Sequence, residues 1–262
     1  MSLSSVISLL IGILSVVLSF LLEGGKALAL IERTAALTVF GGTIGAVGLS
    51  FPIEDIKRIP AIIKVAFGKQ VSDTNKLIDY FKDIAIKTRK NGLLSIEEDI
   101  SQSTNNLARK GLQMMVDGVE PQTIRNILEL KAYSIFERHK SGIAMFEAAG
   151  GFSPTLGIIG TVMGLVHVLG NLSDPSSLGP KISVAFIATL YGVASANLIW
   201  LPIANKLKAY NKVENRQNEL IIEGILSIQE GLSPNTLVEK LMSFTNENDV
   251  IDKTDADEKV KE

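Results

Sequence analysis

Long apolar runs alternate along the chain with long charged stretches of helical period. Leu3–Leu22 is an apolar run of about twenty residues, long enough to cross a bilayer core. No Lys or Arg precedes it and no small-residue cleavage site stands out, so a retained span is expected rather than a signal peptide. After the Glu23-Gly24-Gly25-Lys26 turn and a short amphipathic piece ending at Glu32-Arg33, a second span covers Thr34–Phe51 and stops at Pro52. It is short, and a bilayer accommodates it upright or by thinning locally. A third span covers about Glu147–Leu169, Asn171–Gly179 makes a polar turn, and a fourth covers about Ile182–Ala204.

Between Ile53 and roughly Ser141 the pattern is charged and periodic. Leu77, Tyr80/Phe81, Ile84 and Lys87/Thr88 trace one face of a helix that ends at Asn91-Gly92, a good C-cap. Ser95-Ile96-Glu97-Glu98 has the form of a capping box, with Ser95 accepting from the Glu98 amide and Glu98 reaching back. Another helix runs to Asp117-Gly118, and Pro121 sits where a first turn tolerates proline. The helix from about Gln122 to Phe146 then leads directly into the third span. Beyond the fourth span, Lys206, Lys208, Lys212 and Arg216 begin a polar helix that continues to about Gly231. Ser233-Pro234 caps a last short helix, and Asn246–Glu262 has the composition of a disordered tail.

Strand signals are missing, so the predicted fold is all-α: a polytopic membrane protein with four transmembrane helices and a cytoplasmic helical domain. The expected divisions are a transmembrane hairpin over 1–51 (spans 3–22 and 34–51), a cytoplasmic domain over 52–146 and a second hairpin over 147–205 (spans 147–169 and 182–204). Cytoplasmic C-terminal helices over 206–245 and the tail over 246–262 complete the chain. Basic residues set the orientation. Lys57, Arg58, Lys64 and Lys69 follow the second span, Arg138 and Lys140 precede the third, and Lys206 and Lys208 follow the fourth. The hairpin turns hold only Lys26, Arg33 and Lys181, so both termini and the middle region are expected in the cytoplasm.

Composition narrows the function classes. Of 262 residues, 46% are hydrophobic, which fits spans alternating with polar segments. Cysteine is absent, removing disulfides, thiolate metal sites and a cysteine nucleophile. A net charge of −2 gives no nucleic-acid signal. His139 and His167 lie far apart, and there is no GxxxxGK[ST] phosphate loop and no GxSxG elbow. An enzyme, a metal site and a bound cofactor are therefore not expected.

The third and fourth spans carry small residues at helical spacing. Pro154, Gly157, Thr161 and Gly164 share one face, as do Ala185, Thr189, Gly192 and Ala196. Glycine and alanine alone are explained by helix packing. Two threonines at similar depth, with Pro154 and Pro202 freeing backbone carbonyls, point further, toward a polar pathway. Neither span holds a carboxylate at mid-membrane, so an ion-carrying acid must come from a partner helix. Glu147 is the nearest acid, at the cytoplasmic end, where a structural and a functional role are equally open. His167 is expected to be a neutral ring hydrogen-bonded within the bundle.

Four strings together, 40-FGGTIGAVGLSFP-52, 89-RKNGLLSIEED-99, 152-FSPTLGIIGTVMGL-165 and 189-TLYGVASANLIWLPIANKL-207, resemble the MotA family, the A subunits of bacterial flagellar stators. Order and spacing match over nearly the whole chain up to the tail. The resemblance implies an inner-membrane ring, a homopentamer, around a dimer of a MotB-type B subunit whose transmembrane helix bears the ion-carrying aspartate. It implies that ion flow through this channel drives torque on the flagellar rotor. It places Thr161 and Thr189 beside the ion route, with Gly157 and Gly164 on the same face as Thr161. Pro154 and Pro202 match the family's functional prolines, near the ion path and the cytoplasmic gate. Arg89 and Glu97 match its charged pair that engages the rotor's switch-complex ring. Both threonines resemble sodium-driven relatives, whereas Ala188 and 162-VMGLVHVL-169 resemble proton-driven ones, so H+ and Na+ both stay open. Two other readings remain: an ExbB/TolQ-like energiser of outer-membrane processes, whose three spans are argued against by the N-terminal hairpin Leu3–Phe51, and a non-conducting membrane scaffold whose glycine faces only pack helices.

Overall fold

A computed structural model of the chain describes residues 3–68, 74–170 and 175–245. In order, it contains α1 (Leu3–Leu22), a 3-10 turn (Ala27–Leu30), α2 (Arg33–Ala36), a π turn (Leu37–Gly41), α3 (Gly42–Ser50), α4 (Ile53–Ile56) and α5 (Ile59–Phe67). There follow α6 (Thr74–Asn91), a 3-10 turn (Leu93–Ile96), α7 (Glu97–Gln102), α8 (Asn106–Val116) and α9 (Pro121–Leu169). The chain continues through α10 (Pro175–Ser195), a second π turn (Ala196–Trp200), α11 (Leu201–Gln229) and α12 (Pro234–Met242). No strand occurs among the described residues, and four helical stretches are long and apolar enough to cross a membrane. The all-α, four-span expectation holds. The expected tail, residues 246–262, and the first part of the expected polar turn, 171–174, lie outside the described residues.

Two local expectations are corrected. Helix α10 begins at Pro175, inside the segment expected as a turn, because proline is compatible with a first helical position. The short piece before the second span takes the form of a single 3-10 turn. The capping box at Ser95 does not form: the Ser95 hydroxyl donates to the Gly92 carbonyl at 2.7 Å, and α7 starts after Ile96 with no side-chain cap. Gly92 is the cause. Its φ of +82° turns the chain sharply after α6 and brings Ser95 back over that helix end, where carbonyls and not amides are exposed.

The chain divides into two compact units, Met1–Gln70 with His139–Ala209, and Val71–Arg138 with Tyr210–Glu262. The first holds the apolar spans. No residue of α1 is buried, and Leu10 and Leu14 are 51% and 53% exposed. A water-soluble protein does not present such a wall; hydrocarbon removes its cost. The interior of this unit is small and aromatic-rich, with Val47, Met145 and Ala149 packed by Phe51, Phe152 and Trp200. Polar contacts close one end. The Ser141 hydroxyl donates to Asp55 at 2.8 Å, and Lys208 pairs with Glu147.

The second unit has a conventional water-soluble core. The face Ile78, Phe81, Ile84 and Ala85 of α6 is buried, and Phe81 lies over Gly224, whose missing Cβ makes room for the ring. Leu112, Met115, Leu128, Ile225 and Leu241 fill the rest. Asn105 caps α8 by accepting from the Leu107 and Ala108 amides at 2.9 and 3.1 Å, and Ser233 caps α12 by accepting from Thr236 at 3.2 Å.

One ion cluster ties this unit together: Glu223 of α11 meets Lys240 of α12 and, at 3.3 Å, Arg125 of α9. Burial raises the Glu223 pKa, but the Lys240 hydrogen bond and the charges of Lys240 and Arg125 outweigh it, and the net direction is down from 4.5. A carboxylate with a depressed folded-state pKa stabilises the fold above its unfolded value. That contribution is lost as pH falls through the folded value, below 4.5. Glu223→Gln is expected to destabilise this unit by about 1–3 kcal/mol at neutral pH, since two partly buried cations lose their acceptor. Denaturation followed by circular dichroism checks this, and the gap between variant and parent should shrink in acid.

Candidate functional site

The small-residue faces of α9 and α10 meet each other within this chain. A Cβ built on Gly157 would lie 2.8 Å from the Ala188 carbonyl oxygen and 3.1 Å from the Thr189 Cα. One built on Gly192 would lie 2.5 Å from the Ser153 carbonyl oxygen and 3.1 Å from the Pro154 Cα. Gly164 is covered in the same way by the Ala185 backbone, while Gly160 meets the Ala188 methyl group. Backbone meets backbone, which only glycine permits over such a length. Gly157 and Gly164 thus look toward α10 of the same chain.

This close approach brings the two threonines together. The Thr161 and Thr189 hydroxyl oxygens are 2.5 Å apart, and Thr161 also reaches the Ala185 carbonyl at 2.9 Å and the Gly157 carbonyl at 3.2 Å. Thr189 lies 3.4 Å from the same Gly157 carbonyl. Four oxygens thus share two hydroxyl protons. A hydroxyl donates once but accepts twice, so rotating either proton away exposes oxygen lone pairs without moving a helix. Both threonines are half-buried, and the neighbouring Ile158 and Val162 are 57% and 54% exposed, so the cluster sits at the edge of the α9–α10 seam.

Two prolines flank the seam. Pro154 lies inside α9 and has no N–H, which leaves the Gly150 carbonyl without its intrahelical donor. Pro202 follows the π turn Ala196–Trp200, in which the Leu201 amide reaches back to the Ala196 carbonyl. A proline ring collides with the carbonyl four residues earlier, here Leu198, and the wider π turn relieves that collision. Pro202 is exposed, whereas Ser153 and Gly157 are buried.

Arg89 and Glu97 lie apart from the seam, in the other unit. Arg89 is exposed in the last turn of α6, and Glu97 is exposed in the first turn of α7. Each sits at the helix end whose dipole favours its charge, and the 2.6 Å Lys87–Asp99 ion pair braces the corner between them. His167 is exposed in the last turn of α9. Sequence reasoning missed Tyr191, whose hydroxyl donates to the Leu30 carbonyl and accepts from the Glu32 amide at 3.1 Å. That pair of bonds fastens the turn before the second span to α10. A phenol one residue before Gly192 was the available signal. Among the described residues no group of His, Asp or Glu is arranged to hold a metal.

A family model described as the MotA/TolQ/ExbB proton channel family matches residues 99–219. Motility protein A of Bacillus subtilis (strain 168) is 36% identical over 242 residues, 92% of this chain and 90% of that protein. Chemotaxis protein PomA of Vibrio alginolyticus is 33% identical over 247 residues, 94% of this chain and 96% of that protein. A solved structure of the flagellar MotAB stator complex from Bacillus subtilis matches with a TM-score of 0.89 at 35% identity, covering 95% of this chain and 98% of that one.

Proposed function

The chain belongs to the MotA/TolQ/ExbB proton channel family, and from that premise we infer that it is the A-type subunit of a flagellar stator. With a MotB-type partner it forms an ion channel and converts ion-motive force into torque on the rotor. The observation that carries this is an oxygen cluster inside a membrane span that has no acid of its own. Between Glu147 and Asp174, and again between Asp174 and Glu214, the sequence contains no Asp or Glu. Thr161, Thr189 and their carbonyls offer lone pairs; the titrating carboxylate is the partner's. Similarity to Motility protein A over 92% of the chain, together with four apolar stretches, favours this over a three-span outer-membrane energiser. A non-conducting scaffold would need the glycines but not the paired hydroxyls.

The chain would lie in a bacterial inner membrane with both termini cytoplasmic, by the distribution of its basic residues, and close into a homopentamer around the partner. The transported ion would be a proton. Ala188 is buried against Gly160 and brings a methyl group where a third hydroxyl would help replace the water shell of sodium. As an ion passes, the π turn before Pro202 is the natural hinge, since interconversion of π and α turns needs only a shift of hydrogen-bond register. Arg89 and Glu97 would meet the rotor. One charge moving through 100 mV supplies about 2.3 kcal/mol, and an exposed ion pair is worth roughly 0–1 kcal/mol. One ion can therefore reset a few such contacts.

Coexpression with a B-type partner in cells lacking their own stator tests the reading, and swimming is the expected outcome. Arg89→Glu should cut swimming severely while leaving ion flux unchanged. A variant that loses flux as well would contradict a rotor-facing role for Arg89.

A further inference from the structure

An open groove of about 740 Å³ runs over the second unit between α7, α8 and α9. Helix α8 brings Arg109 and Lys110 to it, and α9 brings Lys131 and Arg138. The two α9 cations are seven residues apart, which puts them on one helix face about 10 Å from each other. Glu97 is the one acid among the lining residues, so four cations face a single carboxylate.

The described fold leaves this charge uncompensated. The Arg109 guanidinium donates to the Ser103 carbonyl, at 3.2 Å from Nε, and that acceptor carries no charge. The side chains of Lys110, Lys131 and Arg138 form no ion pair or hydrogen bond among the described residues. Like charges gathered on one face repel, and a bound anion removes that repulsion. The chain carries a fitting anion. Between residues 247 and 258 it has Glu247, Asp249, Asp252, Asp255, Asp257 and Glu258 against the single Lys253. Asp249, Asp252 and Asp255 recur every third residue, about 10 Å apart in an extended chain, which is the repeat of Lys131 and Arg138 along α9.

We propose that residues 247–258 dock in this groove as an acidic strap against α8 and α9 of their own chain. Reach is sufficient. The segment follows α12 of the same unit, and the ten residues from Thr245 to Asp255 span up to about 33 Å when extended. A compact body of this size has a radius of gyration of about 14 Å. The strength is also sufficient. One exposed ion pair shifts an equilibrium by up to about fivefold, so four together give a dissociation constant of about 2 mM. A tethered segment has an effective concentration of that same order. The strap is therefore held by its tether and reversible, and salt releases it. Because Glu97 lines the groove, the docked strap covers one of the two charges assigned to the rotor. That consequence rests on the stator reading; the docking does not.

The chain has no cysteine, so spin labels can be placed at Gln113→Cys in the groove and Ala256→Cys in the segment. The test uses the full chain assembled with a cysteine-free B-type partner, with labelled chains diluted in unlabelled ones so that each measured pair lies within one chain. Pulsed electron resonance should show a short-distance population at low salt that is lost at about 1 M salt, where screening acts over about 3 Å. Lys131→Glu with Arg138→Glu should lower that population at least about fivefold. Asp249→Lys, Asp252→Lys and Asp255→Lys in the same chain should restore it. Asp249→Asn, Asp252→Asn and Asp255→Asn alter no residue of the described fold and should lower it as well. Absence of a short-distance population, or one unchanged in the asparagine variant, overturns the proposal. So does a short distance seen only in the undiluted assembly, which would place the segment on a neighbouring copy. Neither swimming nor ion flux is the readout, so failure here leaves the stator reading standing and the reverse also holds.

Discussion

Gly192→Ala is expected to reduce swimming at least about tenfold, although it adds one methyl group and raises helix propensity. The added carbon would lie 2.5 Å from the Ser153 carbonyl oxygen and 3.1 Å from two backbone Cα atoms, those of Gly157 and Pro154. None of these is the end of a flexible side chain, so α9 and α10 must separate. Overpacking of this kind costs about 1–3 kcal/mol, and about 1.4 kcal/mol is already a factor of ten. Separation also breaks the Thr161–Thr189 contact, so the functional loss should exceed the loss of folded protein. Gly45→Ala is the matched control. A Cβ there meets nothing within 4 Å, and the variant should insert and swim like the parent. Swimming speed and the membrane-inserted amount, measured together on both variants, check the pair. Equal behaviour of the two would remove the close α9–α10 approach from the account.

The second large effect is expected at the hydroxyls. Thr161→Val and Thr189→Val keep shape and apolar volume but remove one oxygen each from the four-oxygen cluster. Either change should lower ion flux at least about tenfold, about 1.4 kcal/mol, the scale of one hydrogen bond to a charged group. Thr161→Ser and Thr189→Ser keep the oxygen and should retain most of the flux. The valine variants should still assemble with the B-type partner, because the glycine contacts around them persist. Their combination should cost less than the sum of the two, since the hydroxyls act on one another across 2.5 Å. Full additivity would mean that the two oxygens serve separate roles.

Much of the fold is written in local patterns. The Asn91-Gly92 and Asp117-Gly118 stops, the Ser233 cap and the four apolar stretches are all local signals, and each has its structural counterpart. What local pattern does not carry is which surface meets which. Glycine spacing marks a face of α9 for close approach, but nothing in 152-FSPTLGIIGTVMGL-165 says that α10 of the same chain covers it. The Tyr191 bond to the Leu30 carbonyl joins residues 161 apart in sequence, beyond any window of periodicity. Ser95 failed as a cap for a related reason: the spacing is right, but the positive φ at Gly92 turns its hydroxyl onto carbonyls. The π turn before Pro202 follows from the proline ring and the Leu198 carbonyl, a steric consequence visible only once the helix continues through both.

Ion flux through this chain coexpressed with a MotB-type partner tests the central claim most directly, read as cytoplasmic acidification in sodium-free medium. Acidification that needs the partner and falls at least about tenfold in Thr161→Val is the expected result. Flux that appears only with sodium would correct the ion and keep the channel; no flux of either ion, with the complex intact in the membrane, would contradict it.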